Sequence, residues 1–212
     1  VVDFLTRTGL DHAAMVGTSR GGLVTMAMAA MQPSAIGAAV FNDIGPVIEP
    51  SGLTRIAGYV GRTPVPASWE LATNLVASFS RRAFPGVPEA LWAEVARQWF
   101  NDRDGRPAHG YDPRLGRTLS VANSTPPPLW PLFQGISRVP LLVIRGETSD
   151  ILSAATVVEM QRRHPNCAAM TVSGQGHAPL LKDRPSIGAI GRFLAAVDAG
   201  ASVAGLELSM VA

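Results

Sequence analysis

The sequence predicts an α/β fold, a mostly parallel sheet with helices on both faces and an inserted helical segment. Three observations predict it. Four short, unbroken apolar runs, near residues 12–16, 36–42, 141–145 and 168–172, alternate with helix-forming stretches. Continuous rather than alternating apolar strands belong to parallel sheets covered on both faces. A Gly-rich turn, Gly17-Thr18-Ser19-Arg20-Gly21-Gly22, joins the first run directly to a strong helix former. Between Val47 and about Arg138 the alternation breaks, in a segment that holds all four tryptophans (69, 92, 99 and 130) and most of the prolines.

Residues 1–7 read as the end of a helix, closed by Gly9 as a C-terminal stop. The first strand, 12–16, leads into the glycine turn and then a helix to about Met31, stopped by Gln32-Pro33. The second strand ends at Asn42-Asp43-Ile44-Gly45-Pro46. Within the irregular segment, helical patterns appear near 69–79 and 88–100, and Asn101-Asp102-Arg103-Asp104-Gly105 reads as a turn. Aromatics mark that segment as a folded insertion rather than a linker. The third strand follows Pro140, and helices are expected at 154–163 and 186–197. The tail from Gly200 to Ala212 is small and apolar without periodicity, and is expected to be poorly ordered. Core is therefore assigned to 1–46 and 136–212, and the insertion to 47–135.

Ser19 is the candidate nucleophile. A G-x-S-x-G turn between strand and helix strains the serine backbone and lifts its hydroxyl above the sheet edge. The next amide, that of Arg20, and the positive end of the helix then face any oxyanion formed there. The turn fits a phosphate or dinucleotide loop poorly, because it contains neither G-x-x-x-x-G-K-[ST] nor G-x-G-x-x-G, and the chain's sole lysine is Lys182.

A serine nucleophile needs a base, and the base an orienting acid. Of four histidines, His12 lies too close in sequence to reach back over the turn, His109 sits in a polar turn, and His164 ends a helix and is expected to be exposed. His177, in Ser173-Gly174-Gln175-Gly176-His177, follows the last strand on a Gly-rich loop and is the expected base. Asp150, just past the third strand, is the expected acid, with Glu147 and Asp43 as rivals; Asp43 reads as a turn residue ahead of Gly45-Pro46.

In Met15–Gly22, Asn42–Pro46, Pro140–Asp150 and Gly174–His177 the chain resembles the α/β-hydrolase superfamily, and within it the bacterial capped hydrolases with a Ser-Asp-His triad. The resemblance implies Ser19 as nucleophile, His177 as general base, Asp150 as its partner and the Arg20 N–H as an oxyanion-hole donor. It implies that 47–135 is a cap whose tryptophans could line the pocket. It implies hydrolysis of a carboxylic ester or lactone, a small-molecule substrate and no cofactor. Family members with this triad also cleave carbon–carbon bonds or act as cofactor-free haloperoxidases, and the sequence does not separate these. A non-catalytic binding module or remnant of the same fold is the rival from another class.

The chain opens Val1-Val2-Asp3-Phe4-Leu5, without methionine and in mid-helix. Set against the family, its N-terminal strands are expected to be missing, with the second oxyanion donor, which would leave the piece inactive by itself. Composition narrows the rest. A net charge of +2 from scattered arginines is no nucleic-acid footprint. The single cysteine, Cys167, excludes an internal disulfide and reads as a buried strand residue. No apolar stretch reaches a membrane span, and the expected location is the cytoplasm. Asn123-Ser124-Thr125 matches a glycosylation sequon and is read as chance.

Overall fold

A computed structural model describes residues 1–119 and 127–208; the sequon and residues 209–212 lie outside the described residues. The elements are α1 (Val2–Thr8), β1 (Ala13–Thr18), α2 (Arg20–Met31), β2 (Ile36–Asn42), α3 (Pro50–Tyr59), α4 (Trp69–Ser80), α5 (Trp92–Trp99), β3 (Phe100–Arg103), β4 (Arg106–His109), α6 (Leu115–Leu119), α7 (Trp130–Gly135), β5 (Leu141–Gly146), α8 (Ala154–Arg163), β6 (Cys167–Val172) and α9 (Arg184–Asp198).

The four expected strands form one parallel sheet in the order β1-β2-β5-β6. Their alternating side chains feed two cores. Ala39, Phe41, Leu141 and Val143 pack with Met26 and Met28 of α2, Phe133 of α7 and Met160 of α8. Ala38, Val40, Leu142 and Ile144 point the other way, against Ala189 and Phe193 of α9. Among the described residues β1 pairs with β2 alone, and Val16 on it is 54% exposed.

The expected elements hold with small shifts. β1 runs on to Thr18 because its pairing with β2 continues to Thr18 opposite Asn42. Gly9 closes α1 in the left-handed conformation, φ 65°. The sequence missed α3, whose Gly52 and Gly58 lower helix propensity although Pro50 suits a first helical position. Of the expected Asn101–Gly105 turn only Asp104-Gly105 turns, at the tip of the antiparallel hairpin β3–β4, while Asn101–Arg103 are paired in β3. Two expectations are overturned. His164 is buried at 3% exposure, where Ile136 O and the Asn166 amide satisfy its ring nitrogens. The tail is anchored as far as Leu208, because Val203 and Leu208 fill the α9 face and Asn166 Oδ1 accepts from the Val203 and Ala204 amides.

A third apolar cluster stands apart from the sheet. It joins Ala72, Val76 and Ala77 of α4 to Trp92, Val95 and Ala96 of α5, with Phe84 and Phe100. Helix α7 instead packs on α2, through Phe133 in the sheet core.

Candidate active site

Ser19 sits between the end of β1 and the start of α2 with φ 51° and ψ −115°. A non-glycine residue there is strained and persists only where its surroundings impose it. The imposition is local. The Ser19 amide donates to Asn42 O at 2.9 Å, extending the β1–β2 ladder by one residue, while Ser19 O accepts from Gly22 N at 3.0 Å. Gly17 is required: a Cβ on it would lie 2.5 Å from Gly22 N. A Cβ on Gly22 would meet Ile44 Cγ2 at 2.3 Å, whereas one on Gly21 would meet nothing within 4 Å. The close approaches are therefore at Gly17 and Gly22, and not at the second glycine of the motif. Arg20 opens α2, so its amide lies at the positive end of the helix beside the serine.

The loop after β6 brings His177 over this turn, as the sequence predicts. Its Nε2 lies 2.9 Å from Ser19 Oγ and its Nδ1 lies 2.8 Å from Asp43 Oδ2. An ionised carboxylate can only accept, so Nδ1 carries the proton and Nε2 is left to accept from the serine hydroxyl. The side chains of His177 and Asp43 are 7% and 0% exposed. Asp43 also accepts from the Gly146 amide at 2.7 Å and the Ser149 hydroxyl at 2.5 Å. A carboxylate removed from water needs such partners.

The expected acid is thus corrected. Asp43, at the end of β2, holds the imidazole, and Asp150 does not. Asp150 makes a bidentate pair with Arg55 of α3, at 2.6 and 2.7 Å. The Arg55 guanidinium holds the Asp150 carboxyl below the usual carboxylate range, against a smaller opposing effect of burial. Glu147 is likewise engaged elsewhere, accepting from Ser173 Oγ and the Gly174 amide. The loop after β5 thus contributes the groups that grip Asp43.

Sequence reasoning also missed Asn42. Buried at 1% exposure, it donates through Nδ2 to Thr18 Oγ1 at 3.1 Å and to Pro179 O at 2.9 Å. It ties the strand beneath the serine to the loop that carries the histidine.

Thr18, Asn42 and His177 form the floor of a cavity of about 270 Å³ whose walls include Arg55, Tyr59, Trp92 and Trp99. Two of the four tryptophans therefore reach it. Trp69 instead lies under the Arg97 guanidinium, and Trp130 lies under that of Arg163. Among the described residues no group of three or more His, Cys, Asp or Glu is placed to hold a metal, and no helix is long and apolar enough to cross a membrane.

Comparison with known proteins gives this geometry its context. The chain matches the model of the alpha/beta hydrolase family over residues 1–187. It is 30% identical over 209 residues to the 3-hydroxybutyrate-oligomer hydrolase of Cupriavidus necator, covering 91% of this chain and 68% of that protein. It is 26% identical over 170 residues to the 2-(acetamidomethylene)succinate hydrolase of Mesorhizobium japonicum, covering 78% of this chain and 58% of that protein. Among solved structures, an alpha/beta hydrolase from Novosphingobium aromaticivorans superposes with a TM-score of 0.81 at 39% identity, covering 91% of this chain and 68% of that one.

Proposed function

Because the chain belongs to the alpha/beta hydrolase family, we propose that it is a serine hydrolase that cleaves a carboxylic ester or lactone through an acyl-enzyme on Ser19. The observation that carries this reading is the unbroken line from Ser19 Oγ through both His177 nitrogens to the buried Asp43 carboxylate. His177 Nε2 takes the hydroxyl proton as Oγ attacks the substrate carbonyl carbon. Asp43 stabilises the imidazolium that results, and fixes the tautomer that can accept the proton. The oxyanion meets the Arg20 amide at the head of α2. His177 then protonates the leaving oxygen as the carbon–oxygen bond breaks, and activates water to release the acyl group.

Helices α3, α4 and α5 act as the cap, since they line the cavity together with Thr18, Asn42 and His177, whereas α7, at the end of 47–135, packs on α2. An ester is favoured over other bonds by one relative's name, because an oligomer of 3-hydroxybutyrate is joined by ester links. Labelling with a fluorophosphonate probe tests the reading. The chain is expected to gain one phosphonyl group on Ser19, and Ser19→Ala none. Equal labelling of the variant would remove Ser19 from the mechanism.

A further inference from the structure

Adjoining the cavity that His177 lines is a second one, of about 230 Å³. The two share Tyr59, Phe79 and Trp99. These rings form a stack with Tyr59 in the middle. Its ring centroid lies 5.8 Å from that of Phe79 and 6.2 Å from that of Trp99, with planes inclined by 21° and 17°. The three rings therefore form the partition between the two cavities, and Tyr59 is the one that stacks on both others.

The lining of the second chamber sets what it can hold. Leu75 and Phe100 add apolar wall. The polar groups that face it are largely spent: Thr63 Oγ1 donates to Tyr59 O, and the Tyr111 hydroxyl accepts from the Gly61 amide. The His109 ring leans on Tyr111 at 5.7 Å. Among the described residues no Asp, Glu, Lys or Arg lines it, whereas Arg55 stands in the wall of the first cavity. Apolar pockets with few polar groups take apolar ligand parts.

Tyr59 follows Arg55 by one turn of α3, so the two share a helix face, and Asp150 holds the Arg55 guanidinium by two hydrogen bonds.

We propose that the second chamber is a subsite for an uncharged apolar arm of the substrate, and that Tyr59 is a specificity-determining residue that controls how far the arm enters. This rests on the reading of Ser19 as nucleophile, and the test separates the two. Calorimetric titration of Ser19→Ala with 1-butanol, 1-hexanol and 1-octanol probes the chamber without a scissile bond. Affinity is expected to rise about fourfold per methylene. In Ser19→Ala/Leu75→Trp, which fills the chamber, the series should flatten beyond butanol. In Ser19→Ala/Tyr59→Ala, which opens the partition, the rise should continue to 1-decanol, and Tyr59→Phe should behave as tyrosine does. In parallel, the octanoate-to-acetate ratio of kcat/KM for 4-nitrophenyl esters should fall at least tenfold in Leu75→Trp. An alcohol series unchanged by both Leu75→Trp and Tyr59→Ala would overturn the proposal. An intact alcohol series together with ester turnover that Ser19→Ala leaves undiminished would support the subsite and overturn the assignment of Ser19.

Discussion

His177 and Asp43 are 134 residues apart in sequence and 2.8 Å apart in space, joined Nδ1 to Oδ2. Ser19 follows Thr18, Asp43 follows Asn42, and Thr18 is paired with Asn42. The proposed nucleophile and acid therefore leave adjacent strands at the same level, and the imidazole bridges them.

The first prediction separates the two aspartates. Asp43→Asn should lower kcat for ester hydrolysis by about 10⁴, the loss seen when an orienting acid can no longer fix the tautomer. Asp150→Asn should cost less than about tenfold, because its carboxylate touches Arg55 and not the imidazole. Steady-state kinetics on a short ester checks this, and the reverse ranking would return the acid to the loop after β5.

The second concerns the glycines of the turn. Gly17→Ala forces a Cβ against backbone and should destabilise the fold by about 1–3 kcal/mol. Gly21→Ala lies in open space within α2 and should be neutral or stabilising, by up to about 1 kcal/mol. Urea unfolding of the two variants decides it; equal destabilisation would show that the turn needs both motif glycines.

The third concerns pH. The Asp150 carboxyl is lowered in the folded chain, chiefly by its hydrogen bond from Arg55. A carboxyl of this kind stabilises the fold above its unfolded value, near 3.9, and the contribution is lost as pH falls through the lower folded value. The partners are 38% and 32% exposed, which limits the effect to about 1 kcal/mol. The stability gap between the wild type and Asp150→Asn should hold from pH 7 to about pH 5 and narrow below about pH 4. Denaturant melts across that range measure it, and a gap that widened on acidification would contradict the pairing.

The fourth concerns Asn42. Asn42→Ala frees Pro179 O and loosens the loop that carries His177, so kcat should fall by about 10²-fold, the cost of a misplacement near 1 Å. Fluorophosphonate labelling should slow in the same proportion. Unaltered rates would show that the loop holds its place without this bond.

Much of this was legible in the sequence. The four apolar runs gave the sheet, and Ser19 and His177 stood out because a strand–turn–helix glycine motif and a Gly-rich loop after the last strand each mark a position by local chemistry. The acid did not, because Asp43 and Asp150 both follow a strand and only the order of strands distinguishes them. That order is a long-range fact. The true partner of Asp150 was hidden as well, since Arg55 lies on α3, a helix masked by Pro50, Gly52 and Gly58. Gly52 nevertheless has its own reason: its amide donates to Asp150 O at 3.0 Å, and a Cβ there would lie 2.4 Å from the same oxygen. The tail was misread because the Val203 and Ala204 amides are held by a distant partner, Asn166, and Leu208 packs with Phe193 of α9, none of which shows as local periodicity.

Delivering the acid from β2 divides labour between two loops. The proposed proton path uses Ser19, His177 and Asp43, and is gripped from the end of β5 and the loop beyond by the Gly146 amide and the Ser149 hydroxyl. One residue further on, Asp150 is already committed to Arg55 and, through it, to the wall of the cavity. A library that varies 55, 59 and 150 while keeping 146 and 149 would therefore redraw the shape of the pocket and leave the chemistry in place. That makes these three positions the natural ones to randomise when a different ester is wanted.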